Sequence, residues 1–522
     1  MSETRTDVVI SGAGPNGLML ACELALAGVQ AVVLDPLPGP SPEPKTNGLV
    51  GQVVRLMDMR GLYQTPDYDI MGSETTEIPE PLPRYIFSGM GLELSALQHN
   101  PVYGMGIPQP RLIQLLARRA EDLGIRVRWG QPLSDLRVDG DGVTVTIAGP
   151  DGPYELETRY LVGADGGKSL VRKRTGIEFL GTSADNRITR FGHARIPDEL
   201  RTATGGIAIP GAGEFNFGHN RIERGMFIFA ELQPGRPLIG VMEYDCDPVP
   251  EDAPVTFEEI HAAVERVLGV PVPMEPPAGP GPHALRRTVG QRTLLAEHYR
   301  RGGILLLGDA AHVHSAMGGP GLNLGLQDAI NLGWKLAAVV RGDALADLLD
   351  TYESERYPVA ERVMMHSLSQ SALVAPGPEV TALRELFGEL LRLPEVVEHI
   401  ANLLAGSDVR YDTGDTHPLS GHLVPELTVE TSDGTWRVTE LLRSARPVLL
   451  DLSGSAARHA REWSDRVDIV TGTVPDAPAA ALLIRPDGYI AWATDDSDVE
   501  GLHRALNRWF GPARELAELT DR

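Results

Sequence analysis

The feature that most constrains this chain is a glycine-rich turn between an apolar strand and a helix near its start. Val8 to Ile10 is a β-branched apolar run, Gly12-Ala13-Gly14-Pro15-Asn16-Gly17 follows, and Leu18 to Ala27 has a helical pattern. Ala31 to Leu34 reads as a second buried strand ending in Asp35. Strand, turn, helix and strand in this order make a βαβ unit. Gly12 permits the tight turn, Gly14 lets a pyrophosphate approach the backbone, and Gly17 lets the helix lie close to the strand. The helix start adds free N–H groups and the positive end of its dipole. Asp35, about 20 residues on, is placed to accept hydrogen bonds from ribose hydroxyls. The motif specifies a dinucleotide without separating FAD from NAD.

Two later segments sharpen this. Tyr160-Leu161-Val162-Gly163-Ala164-Asp165-Gly166-Gly167 is an apolar strand ending in Asp-Gly, with Ser169 and Arg172 at a following helix start. Ile304-Leu305-Leu306-Leu307-Gly308-Asp309-Ala310-Ala311-His312 is a buried strand ending in Gly-Asp. Gly318-Gly319-Pro320-Gly321-Leu322-Asn323 and a long helix, Leu322 to Val340, come next. Asp309 is placed to accept hydrogen bonds from a polyol. The glycines let backbone N–H groups reach a planar ring edge, and the helix start would hold negative charge on that ring.

The chain has 522 residues, too many for one compact core, so two or three domains are expected. The texture changes from about 180 to 285 into alternating strands and a proline-rich stretch, which reads as a sheet-based domain inserted into the first. Residues 406–421 look like a linker, and alternating strands and helices after it make a third domain. No run of 18 apolar residues suggests a membrane span, and the polar start before Val8 lacks the marks of a signal peptide. Cys22 and Cys246 have neither metal-ligand nor disulfide spacing, which fits a reducing cytoplasm. The net charge of −24 argues against a nucleic-acid partner. His312 and His314 stand two apart with no third ligand nearby, so no metal site is expected.

The three motifs, in this order and spacing, resemble the p-hydroxybenzoate and phenol hydroxylase family, in particular its bacterial aromatic polyketide hydroxylases. The resemblance covers about residues 5–375 and extends to the tail. It implies an α/β fold. Residues 1–178 and 285–405 would form a Rossmann-like (GR2-type) FAD-binding domain, and 179–284 an inserted β-sheet substrate domain. Residues 422–522 would form a C-terminal thioredoxin-like domain. That tail has no Cys-x-x-Cys and cannot run dithiol chemistry, so a structural or oligomerisation role follows, with a homodimer as the expected assembly.

The resemblance also assigns residues. Gly12, Gly14, Pro15, Asn16, Gly17 and Asp35 would bind the ADP half of FAD. Gln109 and Arg111 match a flavin-contacting segment, Asp165 a residue tied to FAD and the nicotinamide cofactor, and Asp309 the ribityl ligand. Gly318, Gly319, Gly321, Leu322 and Asn323 match the loop beside the isoalloxazine. Three positions depart from the family pattern. Gln52 replaces an arginine, Ala316 a proline and Pro320 a glutamine.

The expected activity is hydroxylation of a polycyclic aromatic polyketide or related phenol. NADPH or NADH and O2 are consumed, and the oxygen passes through a flavin C4a-hydroperoxide. No catalytic acid or base is assigned. Phe217, Phe227, Met242 and Tyr244 are candidates to line the substrate pocket, with a core role equally open to each. Baeyer–Villiger insertion or oxidative rearrangement is the alternative on the same scaffold, and a flavin-binding sequestration protein is the non-enzyme alternative. A halogenase is disfavoured because no Trp-x-Trp-x-Ile-Pro run is present.

Overall fold

The computed structural model describes residues 4–514 except 44, 64–76, 141, 232–234, 248, 251–252, 280, 282, 316, 318 and 497. Its first sheet is built from the apolar runs read in the sequence. Strand Arg5–Ser11 lies between Gly152–Gly163 and Ala31–Asp35, with Ile304–Leu306 outside the former and Val127–Trp129 outside the latter. All four of these pairings are parallel. Such a sheet is covered on both faces, which is why Val8–Ile10, Ala31–Leu34 and Ile304–Leu306 are continuous apolar runs. Helix Pro15–Leu26 packs on the long helix Pro320–Arg341. They approach closely because Gly333 has no side chain; a Cβ there would stand 2.4 Å from the Glu23 Cβ.

The second sheet runs in the order Gly218–Ile222, Gly225–Ala230, Leu238–Tyr244, Phe179–His193, Leu285–Ala296 and His312–Val313. Strand alternation gives it two different faces. Phe227, Phe229, Ile239 and Val241 point to one side and form a core with Ile260 and Val264 of helix Phe257–Leu268. Thr256 caps that helix, accepting from the Glu259 amide at 3.2 Å, and Gly269 ends it at φ 75°. Met226, Ile228, Met242 and Tyr244 point the other way and pack with Met317 and Val374.

Strand Leu285–Ala296 belongs to the second sheet, pairing along Phe179–His193 from Leu285 to Ala296. The expected domain boundary at 284/285 therefore falls at the start of a strand of the second sheet. That strand carries Arg286, Arg287, Gln291 and Arg292 and so did not read as part of a buried sheet.

Residues 417–513 contain a four-stranded sheet ordered Asp468–Thr471, Val448–Asp451, Ala481–Ile484, Ile490–Thr494. Asp451 ends its strand buried, accepting from the amides of Gly454 and Ala457 at 2.8 Å each. The segment 406–421, expected to be a linker, is packed instead. Val409, Tyr411, Thr413 and Ser420 are buried, and the Tyr411 ring lies tilted by 33° against Tyr489, the centroids 4.2 Å apart. Among the described residues no helix is long and apolar enough to cross a membrane.

Candidate functional site

The parallel order of the first sheet brings the three motifs to one edge, the carboxyl ends of strands Arg5–Ser11, Gly152–Gly163 and Ile304–Leu306. This is where open α/β sheets bind ligands. The motifs interlock there. Gly12, at φ 111°, lies against the second motif; a Cβ on it would meet the Ala164 carbonyl oxygen at 2.3 Å. Asn16 lies between the third motif and the long helix; its Nδ2 would be 2.2 Å from a Cβ at either Gly308 or Gly325. The Asn16 Oδ1 is buried without a hydrogen-bond partner, a cost that a ligand donor would remove. Gly14 faces open space, with nothing within 4 Å of a Cβ, and caps helix Pro15–Leu26.

Asp35 is buried at its strand end. Its two oxygens accept from the Ala13 amide at 2.7 Å and the Leu37 amide at 2.8 Å, leaving lone pairs for a ribose. Asp165 is turned to its own helix. It accepts from Ser169 Oγ at 2.5 Å and from the Leu170 and Val171 amides at 2.7 and 3.1 Å, so its carboxylate caps helix Leu170–Arg174. Asp309 is open to solvent, although protein surrounds it on most sides and raises its carboxyl pKa, with His312 and Lys45 pulling it back. Lys45 went unnoticed in the sequence because it sits in a proline-rich loop with no periodic pattern.

The Gly308–Asp309 turn has a buried support. Asp328 Oδ2 accepts from the Gly308 amide at 3.3 Å and pairs with His312 Nε2 at 2.7 Å. Its Oδ1 accepts from Arg356 Nε at 2.8 Å, and Arg356 Nη1 donates to the Tyr411 hydroxyl at 2.9 Å. Gly319 caps the long helix at φ 64°, and a Cβ on Gly321 would lie 3.8 Å from Asp309 Oδ1. Asn323 Oδ1 accepts from the Val50 amide at 3.1 Å and its Nδ2 donates to the Gly319 carbonyl at 2.9 Å, so it fastens the helix start. Leu322 packs against the main core. Gln109 opens helix Gln109–Asp122, its amide donating to the Thr46 carbonyl at 2.9 Å, and Arg111 lies half-buried on the same first turn. Ala316 and Gly318 lie outside the described residues.

An extended dinucleotide fits this edge. Open backbone at Gly14 suits a pyrophosphate, Asp35 a ribose, Asp309 a polyol and the start of the 320–341 helix an anionic ring edge. Residues 5–367 match the family described as FAD binding domain, and residues 417–513 the family described as aromatic-ring hydroxylase, C-terminal. The chain belongs to the FAD-dependent aromatic-ring hydroxylases. A 12-dehydrotetracycline 5-monooxygenase/anhydrotetracycline 6-monooxygenase from Streptomyces rimosus is 41% identical, the match covering 97% of this chain and 99% of that one. A rifampicin monooxygenase from Rhodococcus hoagii is 34% identical over 98% of this chain and 100% of its own. The solved structure of an aromatic hydroxylase from angucycline biosynthesis superposes with a TM-score of 0.85 at 38% identity, covering 98% of this chain and 100% of that one. This hydroxylase is thus an FAD-dependent monooxygenase.

Two departures from the family pattern have local explanations. Pro320 is the first residue of the long helix, where its missing N–H costs nothing. Gln52 is buried beneath the helix it starts, its Nε2 donating to the Pro101 carbonyl at 3.4 Å and its Oε1 accepting from Arg55 at 3.2 Å.

The substrate candidates separate by face. Met242 and Tyr244 are on the face packed with Met317, two residues before Gly319. Phe227 is fully buried on the opposite face, its ring 4.7 Å from Phe215, and belongs to the core between the second sheet and helix Phe257–Leu268. Strand parity decides between the two roles left open for it, since Phe227 lies next to Met226 and Ile228. Phe217 is half-buried between strands.

Burial lowers several histidines near this region. His314 is pushed from 6.5 to about 3, and His219 and His366 to about 4. An unfolded chain protonates these rings first as pH falls, so their contribution is intact above about 6.5 and is lost as pH drops toward their folded values. The thermal midpoint is therefore expected to fall between pH 7.5 and pH 5; an unchanged midpoint would refute this.

Proposed function

We propose that this hydroxylase inserts one oxygen atom into a polycyclic phenol of the aromatic polyketide type, using NADPH or NADH and O2. The observation that carries this reading is the Met226, Met242 and Tyr244 face of the second sheet, packed against Met317 of the segment that leads into the long helix. A broad, polarisable and mostly apolar face suits a planar polycycle. The polycyclic antibiotics in the names of its relatives support the same class.

Gly12, Gly14, Pro15, Asn16, Gly17 and Asp35 would hold the ADP half of FAD, with Gln109, Arg111, Asp165 and Asp309 along its length. Gly318, Gly319, Gly321, Leu322 and Asn323 would border its ring. Bound FAD supplies the oxygen activation. The protein's own contribution is to orient the ring edge at a helix start, exclude water with Met317 and the sheet, and present the substrate carbon. The unit from 422 onward we read as thioredoxin-like and structural, in a cytoplasmic enzyme.

The test is NADPH consumption with a panel of tetracyclic and angular polycyclic phenols under labelled O2, with product masses read. Gain of one labelled oxygen with the ring skeleton kept is expected. A ring opened to a lactone would instead establish Baeyer–Villiger insertion. No substrate-dependent NADPH use by FAD-loaded protein would overturn the proposal.

A further inference from the structure

One rim of the flavin edge is a short stretch of chain. Lys45 is near enough to Asp309 to act on its charge. The Thr46 carbonyl accepts from the Gln109 amide at 2.9 Å, and the Val50 amide donates to Asn323 Oδ1 at 3.1 Å. Residues 46–52 carry no charged side chain, so they cannot grip a phosphate by charge. At Gly51 the stretch runs into helix Gln52–Met59. Eight residues are too few for a helix to stand alone. This one has no side-chain cap, and Asp58 lies near its C-terminal end, where the macrodipole opposes a negative charge. Every residue from Gln52 to Met59 is nevertheless buried. Its order has to come from what surrounds it.

The C-terminal unit supplies that order. Arg55 donates to Glu426 Oε1 at 2.5 Å and to the Val424 carbonyl at 2.7 Å. Asp58 accepts from Arg437 at 2.6 and 3.2 Å. Arg60, which closes the helix, donates to the Leu442 and Pro486 carbonyls at 2.9 and 2.7 Å. It also pairs with Glu23 of helix Pro15–Leu26 at 2.6 and 2.8 Å. Gly488 lies so close that a Cβ on it would stand 2.8 Å from Met59 Sδ. Helix Val438–Leu441 packs alongside. The network reaches the flavin end of the helix as well, since Arg55 Nη1 donates to Gln52 Oε1 at 3.2 Å. An arginine at 52 would set a second guanidinium against Arg55. The glutamine here and the C-terminal grip on Arg55 therefore belong to one arrangement.

We infer that the C-terminal unit is a component of the flavin site. Through Glu426, Arg437 and helix 52–59 it fixes the rim 45–50, and through the bond from Val50 to Asn323 it fixes the start of the long helix. This goes beyond the structural role given to that unit above. It rests on the FAD-binding edge and is independent of the substrate class. The physical route is short. Without Arg437, Asp58 is a buried carboxylate at the negative end of its own helix. The relief open to it is for the helix to unwind toward water, and Val50 lies two residues before that helix. Losing the Val50 amide frees Asn323, which also donates to the Gly319 carbonyl at 2.9 Å and so fastens the turn before the long helix. Arg55, Glu426 and Arg437 act through Val50 and Asn323 and are positioning residues.

The experiment uses the full chain with FAD as the probe, without NADPH or substrate. Glu426→Ala and Arg437→Gln, singly and together, are compared with Arg446→Gln, which breaks the 2.8 Å pair of Arg446 with Asp468 inside the same unit. FAD affinity, the visible spectrum of bound flavin and amide hydrogen exchange over residues 46–60 are measured. The double variant is expected to bind FAD about tenfold more weakly, or worse, as the loss of a part-buried ion pair implies. It should also lose the fine structure of the bound-flavin band and exchange faster at Val50, while its apoprotein still melts cooperatively. Arg437→Lys, which keeps the charge beside Asp58, should bind FAD within about threefold of the parent. Parental FAD affinity and spectrum in the double variant would overturn the inference. So would an equal loss of FAD in Arg446→Gln, a loss of FAD with unchanged exchange at Val50, or failure of both single variants to fold. Each of these would reduce the contacts to holding the chain together. FAD results as expected, with no turnover of any polycyclic phenol, sink the proposed substrate reading alone.

Discussion

A Gly14→Val protein is expected to fold and melt as the parent does and to bind FAD at least 100-fold more weakly. Gly14 has φ −68° and ψ 178°, an extended backbone that any L residue adopts, and a Cβ there meets nothing within 4 Å. Valine therefore introduces neither strain nor a clash within the protein. It fills the space in front of the helix start where a pyrophosphate has to reach free N–H groups. A 100-fold loss is about 2.7 kcal/mol, within the range of one excluded phosphate contact set. Gly12→Ala serves as the contrast. Its Cβ would meet Ala164 O at 2.3 Å from a backbone at φ 111°, so that substitution lowers stability as well as FAD binding. The measurements are FAD fluorescence titration and thermal melting of the apoprotein. Gly14→Val protein that still carries stoichiometric FAD would remove the first motif from the cofactor site.

Arg485→Met is expected to cost about 3–5 kcal/mol and to loosen the C-terminal unit from the FAD-binding unit. Arg485 is fully buried and donates to Glu355 at 2.6 and 2.8 Å and to Asp487 at 3.0 and 2.5 Å. Trp334, Tyr411, Tyr489 and Trp509 surround its guanidinium at 4.6 to 5.9 Å. Burial works against the Glu355 charge, yet Arg485 and Lys335 outweigh it and hold the carboxyl far below the usual range. Methionine fills the volume but removes the cation shared by two buried carboxylates, leaving Glu355 to Lys335 Nζ at 2.7 Å and Asp487 to the neutral donors Asn331 and Trp334 at 3.2 and 3.1 Å. A lower urea midpoint and faster proteolysis within 406–421 are expected. Adding Glu355→Gln rebalances the charge and should recover part of the loss. A double variant less stable than Arg485→Met would show that charge balance is not what the cluster provides.

The cofactor edge was legible because its signals are local. A β-branched run, a glycine turn and a terminal carboxylate within one stretch specify a strand, a helix start and an acceptor regardless of the rest of the chain. The substrate side was harder. Which of two adjacent residues faces a ligand depends on the register of a sheet whose strands are distant in sequence, so Phe227 and Met242 looked alike. The Arg485 cluster was invisible because its members come from five segments that only the folded chain brings together.

The interlocking of Asn16 with Gly308 and Gly325 sets a limit on when the cofactor cradle can exist during synthesis. The ribosome releases the first motif long before the third. Until residues 304–306 emerge, strand Gly152–Gly163 lacks its outer parallel neighbour and presents an unpaired edge. Nascent chains ending before the 320–341 helix are therefore unable to retain flavin and expose a template for wrong pairing. The interlock thus places flavin loading after the third motif has left the ribosome, however early the first one folds.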